Sequence, residues 1–177
     1  MNSYFRRQLA DYVEYHRDPW NCAFHVFGIL SLFTGCVLPL STWQVSVFGV
    51  HASVAVAAAL PVLIYWLLLD AVVGLAIAGA AALLLFLAAS LANHASPVQT
   101  WSVAVILIVA GVAFQIIGHQ VFERRKPSLT DHPAHLLLGP MFVMAKLLIT
   151  LGFRRDLAAI IEREPQSSSQ SGVAVRP

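Results

Sequence analysis

Seven histidines in a chain of 177 residues are the side chains best suited to bind a metal or to change charge near neutral pH. Several of them stand at helical spacing from another polar group. Tyr12 and His16 are four residues apart, as are Asn21 and His25, and Gln115, His119 and Glu123 make two successive steps of four. On a helix that spacing stacks side chains on one face. Asp131 and His135 repeat it if the segment after Thr130 is helical. Phe114 to Pro140 is the densest stretch, with three histidines, two acids and the consecutive bases Arg124, Arg125 and Lys126. Imidazole nitrogen binds iron, zinc and copper well, and a hydrogen-bonded partner behind the ring fixes its tautomer and raises its basicity.

The elements that must position these groups are apolar. Hydrophobic residues make up 58% of the chain and charged ones 11%, with a mean hydropathy of +0.73, whereas a soluble domain carries about 25% charged residues. From Ala23 to Phe122 the sole Asp, Glu, Lys or Arg is Asp70. A soluble core is excluded, and a polytopic membrane protein is expected. The formal net charge of +2 gives no basis for a nucleic-acid partner. The polar start lacks the short apolar run and small-residue site of a cleavable signal, so the first apolar stretch is expected to remain as an anchor. Cys22 and Cys36 are too few for a disulfide framework and fit as buried small hydrophobes.

Crossing the hydrocarbon takes about 20 apolar residues. Residues 23–40, 50–69, 71–91 and 101–122 qualify, and Asp70 forms the tip of a tight hairpin between the second and third. Pro61 is expected to kink the second span, and Gly74, Gly79 and their alanine neighbours give the third a surface for close packing. Residues 136–153 are a fifth apolar stretch, short and interrupted by Gly139-Pro140. Arg6, Arg7 and Arg17 precede the first span, and Arg124, Arg125 and Lys126 follow the fourth. Four crossings put both clusters on the cytoplasmic side, and a fifth would strand Arg154 and Arg155 outside. The fold expected is therefore all-α, an integral membrane bundle of four transmembrane helices plus a fifth re-entrant or in-plane segment. Residues 1–18 form a cytoplasmic amphipathic helix, 19–153 the membrane catalytic domain, and 154–177 a cytoplasmic tail disordered from about 165. Asp18-Pro19 marks a helix start, Asp as cap and Pro at the first position.

This topology sorts the histidines by side. His16, His25, His119, His132 and His135 gather at the cytoplasmic face, and Asp70 turns there too; His51 and His94 fall on the opposite surface. Taken singly, a histidine at a helix end is more often an interfacial hydrogen-bonder than a ligand, which is the reading kept for His51 and His94. Glu123 beside three basic residues is equally an ion pair, and Asp70 is better read as a helix cap than as a catalytic group. Polar groups placed within a membrane domain usually face its interior, a partner or a functional cavity. His16, His25, His119 and His135 on one face therefore raise a metal site as the alternative to four separate interfacial roles.

The blocks "YVEYHRDPWNCAFHVFGI" (12–29), "YWLLLDAVVGL" (65–75) and "FQIIGHQVFERRKPSLTDHPAHLLLGPMFV" (114–143) resemble the small membrane family typified by the yeast endoplasmic-reticulum 2-hydroxy fatty acid dioxygenase. The third block is long and specific, and the resemblance covers most of residues 4–153. It implies an iron(II)-dependent dioxygenase of fatty acid α-oxidation, shortening a 2-hydroxy acid by one carbon. The family's histidine pattern falls on His16, His25, His119 and His135 as metal ligands, and its accompanying polar positions on Asn21, Gln115, Glu123 and Asp131. Glu123 and Asp131 are the expected catalytic carboxylates; Asn21, Gln115 and His132 are expected to support the ligands. His132 stands where the family often has asparagine. The implied partners are a 2-hydroxy fatty acid, dioxygen and the lipid bilayer, with a homo-oligomer left open. The Ala-rich, Arg-over-Lys composition suits a bacterial inner membrane.

Three other classes compete. A haem-binding electron-transfer bundle would use His25 and His119 as axial ligands. A small transporter would carry a proton or ion on Asp70 or Glu123 and needs a polar path across the bilayer. An assembly protein would use the histidines to hold structural zinc.

Overall fold

The computed structural model describes residues 2–47, 49–124 and 133–162. Almost every described element is helical: α1 (Ser3–Glu14), α2 (Pro19–Leu40), α3 (Val54–Leu69), α4 (Ala71–His94), α5 (Pro97–Ile117), α6 (Leu138–Thr150) and α7 (Arg155–Ile161). One π-helical turn, Gly118–Glu123, continues α5, and a 3₁₀ segment, Pro133–Leu137, leads into α6. The exception is a hairpin of β1 (Gln44–Val47) and β2 (Val50–Ser53), paired antiparallel with Val47 opposite Val50. Three helices are long and apolar enough to cross a membrane: α2, α4, and α5 together with its π turn.

The second expected span begins later than its hydropathy suggests. Val50 to Ser53 belong to β2, and Ser53 caps α3 by accepting the Val56 N–H at 3.3 Å. Gly49, at φ +80°, makes the turn that sends this apolar run back as a strand. α3 keeps 16 residues, about 24 Å of helix against roughly 30 Å of hydrocarbon. It runs through Pro61 without interruption.

The other starts follow their capping residues. Asp18 accepts from Trp20 N at 2.8 Å and Asn21 N at 3.1 Å, with Pro19 at the first helical position. Asp70 accepts from Val72 N and Val73 N at the head of α4, and its carboxylate also pairs with the Arg154 guanidinium. It is a cap and an anchor.

α2 packs along α5 more extensively than any other two elements pack. Glycine makes this approach close: a Cβ on Gly111 would stand 3.0 Å from both Gly28 O and Leu32 N. At Gly74 a Cβ would meet Leu67 N at 2.7 Å, closing the α3–α4 hairpin, whereas Gly79 meets nothing within 4 Å.

α1 buries the stripe Phe5, Leu9, Tyr12 and Val13 in the same cluster as Leu138, Met141 and Phe142 of α6 and Leu157 and Ile160 of α7. The expected surface helix is thus half core. So is the start of the expected tail, because α7 packs on α1 and α6; the residues expected to be disordered lie outside the described ones. α6 carries Lys146, a charge inside the fifth apolar stretch. Its ammonium lies 5.2 Å from the Phe142 ring centroid and donates to Cys22 Sγ at 3.4 Å.

Candidate metal centre

His16 follows α1, His25 lies in the second turn of α2, and His119 lies in the π turn that ends the α5 span. Each is buried. One ring nitrogen from each falls within 4.8 Å of those from the other two. The ring centroids are 4.5 Å apart for His16 and His25, 4.9 Å for His16 and His119, and 4.8 Å for His25 and His119, all edge to face. The π turn widens the local helix from the usual pitch, a distortion that recurs at functional sites. A Cβ on Gly118 would overlap Asn21 Oδ1, so the residue beside His119 must be glycine for α2 to come this close.

Two hydrogen bonds decide the tautomers. His16 Nδ1 lies 2.9 Å from Tyr12 O, and His25 Nδ1 lies 3.0 Å from Asn21 O. A carbonyl oxygen only accepts, so each Nδ1 carries the proton and each Nε2 presents a lone pair. Those two Nε2 atoms face each other at 3.2 Å. Two facing lone pairs repel unless a cation or a proton satisfies both. Burial first, and then the adjacent His25, lower the His16 imidazole to about 2, so an extra proton is disfavoured. Two nitrogens each about 2.0–2.1 Å from one metal stand roughly 2.8–3.4 Å apart at octahedral to tetrahedral angles. His119 Nδ1 is buried with no hydrogen-bond partner among the described residues. The donor set fits a divalent transition metal.

The supporting groups are partly other than expected. For His16 and His25 the atom behind the ring is a backbone carbonyl, four residues back in each case, and no carboxylate. Glu123 Oε1 instead accepts from Asp18 N at 2.8 Å and from Asn21 Nδ2 at 3.2 Å. It ties the end of α5 to the start of α2. The spacing from His119 did not reveal this, because the π turn rotates Glu123 off the α-helical stripe. Asn21 is fully buried between these contacts. His135 is buried too, with its ring centroid 5.4 Å from that of Tyr12; it lines the same cavity as the three clustered histidines but stands outside their group of nitrogens. Asp131 and His132 lie outside the described residues, as do Arg125 and Lys126. His51 and His94 are exposed, and His94 Nδ1 donates to Ser90 O at 2.7 Å.

Tyr12 is a member of the site that its spacing from His16 hinted at. Its ring stacks on His16 with centroids 3.9 Å apart and planes within 5°. Burial pushes its phenol above the ordinary range, so it stays a neutral O–H donor.

Above the histidines a cavity of about 730 Å³ opens between helices. Its walls are one stripe of α2 from His25 to Leu40, one stripe of α3 from Ala55 to Trp66, and Val112, Gln115 and Ile116 of α5. Its polar groups concentrate at the histidine end, and no Lys or Arg among the described residues lines it. Trp66 Nε1 donates to Leu137 O at 2.7 Å and holds α3 against the 3₁₀ segment.

Apolar membrane-length helices enclosing a buried three-histidine cluster under an apolar cavity define a helical membrane protein with a candidate metal site. The chain belongs to the family described as "2-hydroxy-palmitic acid dioxygenase Mpo1-like", which it matches over residues 2–151. It is 34% identical over 162 residues to the 2-hydroxy-palmitic acid dioxygenase MPO1 of Saccharomyces cerevisiae, covering 90% of this chain and 88% of the yeast protein. No solved structure matches.

Proposed function

We propose that the protein is an iron(II)-dependent dioxygenase that shortens 2-hydroxy fatty acids by one carbon at the cytoplasmic face of a membrane. The observation that carries this is the pair of Nε2 lone pairs of His16 and His25, facing at 3.2 Å with His119 beside them, at the polar end of an acyl-shaped cavity. The family relationship supplies the substrate class.

His16, His25 and His119 would hold the metal, with His135 on the cavity wall as a further donor. Iron(II) held by a few histidines keeps open positions for dioxygen and for a chelating hydroxy acid. The chain itself supplies orientation and dryness. Tyr12 O and Asn21 O lock the two tautomers. With no described Lys or Arg on the wall, the Tyr12 O–H and the Gln115 amide would orient the carboxylate, and a bound metal would supply the positive charge that it needs. The apolar walls exclude water from the C1–C2 bond. Overall, R–CH(OH)–COOH + O₂ gives R–COOH + CO₂ + H₂O, so dioxygen is the only oxidant required. Of the residues named from sequence, Glu123 supports the fold of the site through Asn21, and Asp131 remains a candidate proton carrier.

We also read α3 as a fourth crossing, completed by the hairpin before it, and α6 as a segment that returns to its own side. Its 13 residues reach about 20 Å, and Lys146 sits in its middle. His135 before it meets Tyr12, and Arg154 after it meets Asp70, so both ends stay at the histidine side.

A haem between His25 and His119 is disfavoured by ring centroids 4.8 Å apart, which leave no space for a macrocycle. A transport path is disfavoured by the apolar outer half of the cavity. The test is metal analysis of anaerobically purified protein, followed by single-turnover assay with a long-chain 2-hydroxy acid. Iron near one per chain with loss of the substrate and release of the shortened acid is expected. Purified protein free of iron and inert after iron(II) loading would overturn the proposal.

A further inference from the structure

We infer that the slot between α2 and α3 measures the acyl chain, and that Ala58 and Ala59 keep its outer half open. This rests on the proposed function for the identity of the head group, and on geometry for the rest. The cavity-facing stripe of α2 runs His25, Ile29, Leu32, Cys36, Leu40, and that of α3 runs back from Trp66 and Val62 to Ala59, Ala58 and Ala55. α5 lines only the inner half, so the outer half lies between α2 and α3. There α2 and α3 touch sparingly, while α3 packs on α4 and α2 on α5. The slot is what separates them.

Helix rise converts this to length. Cys36 stands 11 residues beyond His25, about 16 Å, and Leu40 stands 15 residues beyond, about 22 Å. An extended hydrocarbon advances about 1.25 Å per bond. A head group held at the histidines therefore brings roughly the fourteenth carbon beside Cys36, and a chain of about 18 to 19 carbons reaches the level of Leu40. Side chains of a single carbon at 58 and 59 leave the outer half open as far as Ala55, whereas bulkier ones would end the slot about a turn earlier.

Cys36 lines the slot, whereas Cys22 is buried outside it, so the native chain reports slot filling without mutation. The rate of alkylation of Cys36 by N-ethylmaleimide would be followed by mass spectrometry in lipid nanodiscs, with 2-hydroxy acids and plain fatty acids of about 10 to 20 carbons. Protection should be absent with the shortest acids and appear near 14 to 16 carbons. Protection independent of length, or absent throughout, overturns the inference. Ala58→Phe and Ala59→Phe provide a second measurement. The ratio of kcat/KM for short over long 2-hydroxy acids should rise by about tenfold or more, since each misfit methylene is worth that order. An unchanged ratio in a folded variant counts against the slot. The two readings fail separately. Length-dependent protection without turnover removes the oxygenase and keeps the slot; turnover with length-blind protection does the reverse.

Discussion

His16 Nε2 and His25 Nε2 stand 3.2 Å apart, and each ring gives its only proton to a backbone carbonyl. Two neutral imidazoles gain nothing from that arrangement in a buried site. A shared cation turns the repulsion into attraction, and the same helix-internal hydrogen bonds that aim the rings make them better donors.

Replacing His16, His25 or His119 by Ala should therefore lower metal content sharply. Loss of a mere supporting partner typically costs 10- to 100-fold, and loss of a ligand should cost at least that. His135→Ala should lose less, because His135 stands outside the group of three. His51→Ala and His94→Ala should keep the metal. Titration with iron(II) under anaerobic conditions reads all six, and equal losses across them would dissolve the site.

Glu123 separates a structural role from a catalytic one. Its Oε1 accepts from Asp18 N and Asn21 Nδ2, and Glu123→Gln keeps an acceptor there. Glu123→Ala removes the acceptor of the part-buried Asp18 N–H and leaves Asn21 Nδ2 only the longer contact to Tyr15 O at 3.4 Å, at about 1–3 kcal/mol. The expected order of thermal stability is wild type, then Gln, then Ala, with the Gln variant retaining most turnover. Abolished turnover in a stable, metal-loaded Gln variant would show that the carboxylate takes part in chemistry.

Asp70 makes stability depend on acid. Burial alone would raise its pKa, but the Arg154 guanidinium and the Val73 N–H together hold it below the ordinary carboxylate value of 3.8. A folded pKa below the unfolded one contributes stability that is complete above the unfolded value and vanishes as pH falls through the folded one. Asp70→Asn should thus lower the thermal midpoint near pH 7 and narrow the gap to wild type below about pH 4. A gap that does not shrink in acid would remove the ion pair as its cause.

Topology is checked by single cysteines in oriented vesicles lacking the native thiols. Cysteine at Phe153 and at Tyr4 should label from the same side, and cysteine at Ser96 from the other. Labelling of 153 with 96 would mean that the α6 segment crosses.

Local chemistry was legible in the sequence. One charge in a hundred residues requires lipid around the helices; Asp18-Pro19 and Asp70 start helices because a carboxylate accepts the free N–H groups of a first turn; and the four-residue step from Tyr12 to His16 stacks two rings. These are short-range effects of neighbours along the chain. Tertiary packing decided the rest. His16 and His119 are separated by 103 positions and meet because Gly118 lets Asn21 of α2 reach the π turn, a contact without a local signature. Packing also placed Glu123 on the start of α2, left His135 on Tyr12, and let pairing with β1 take Val50 to Ser53 from the second span. Hydropathy could not foresee that last choice, because an apolar run is as content in a strand as in a helix until a partner strand satisfies its backbone.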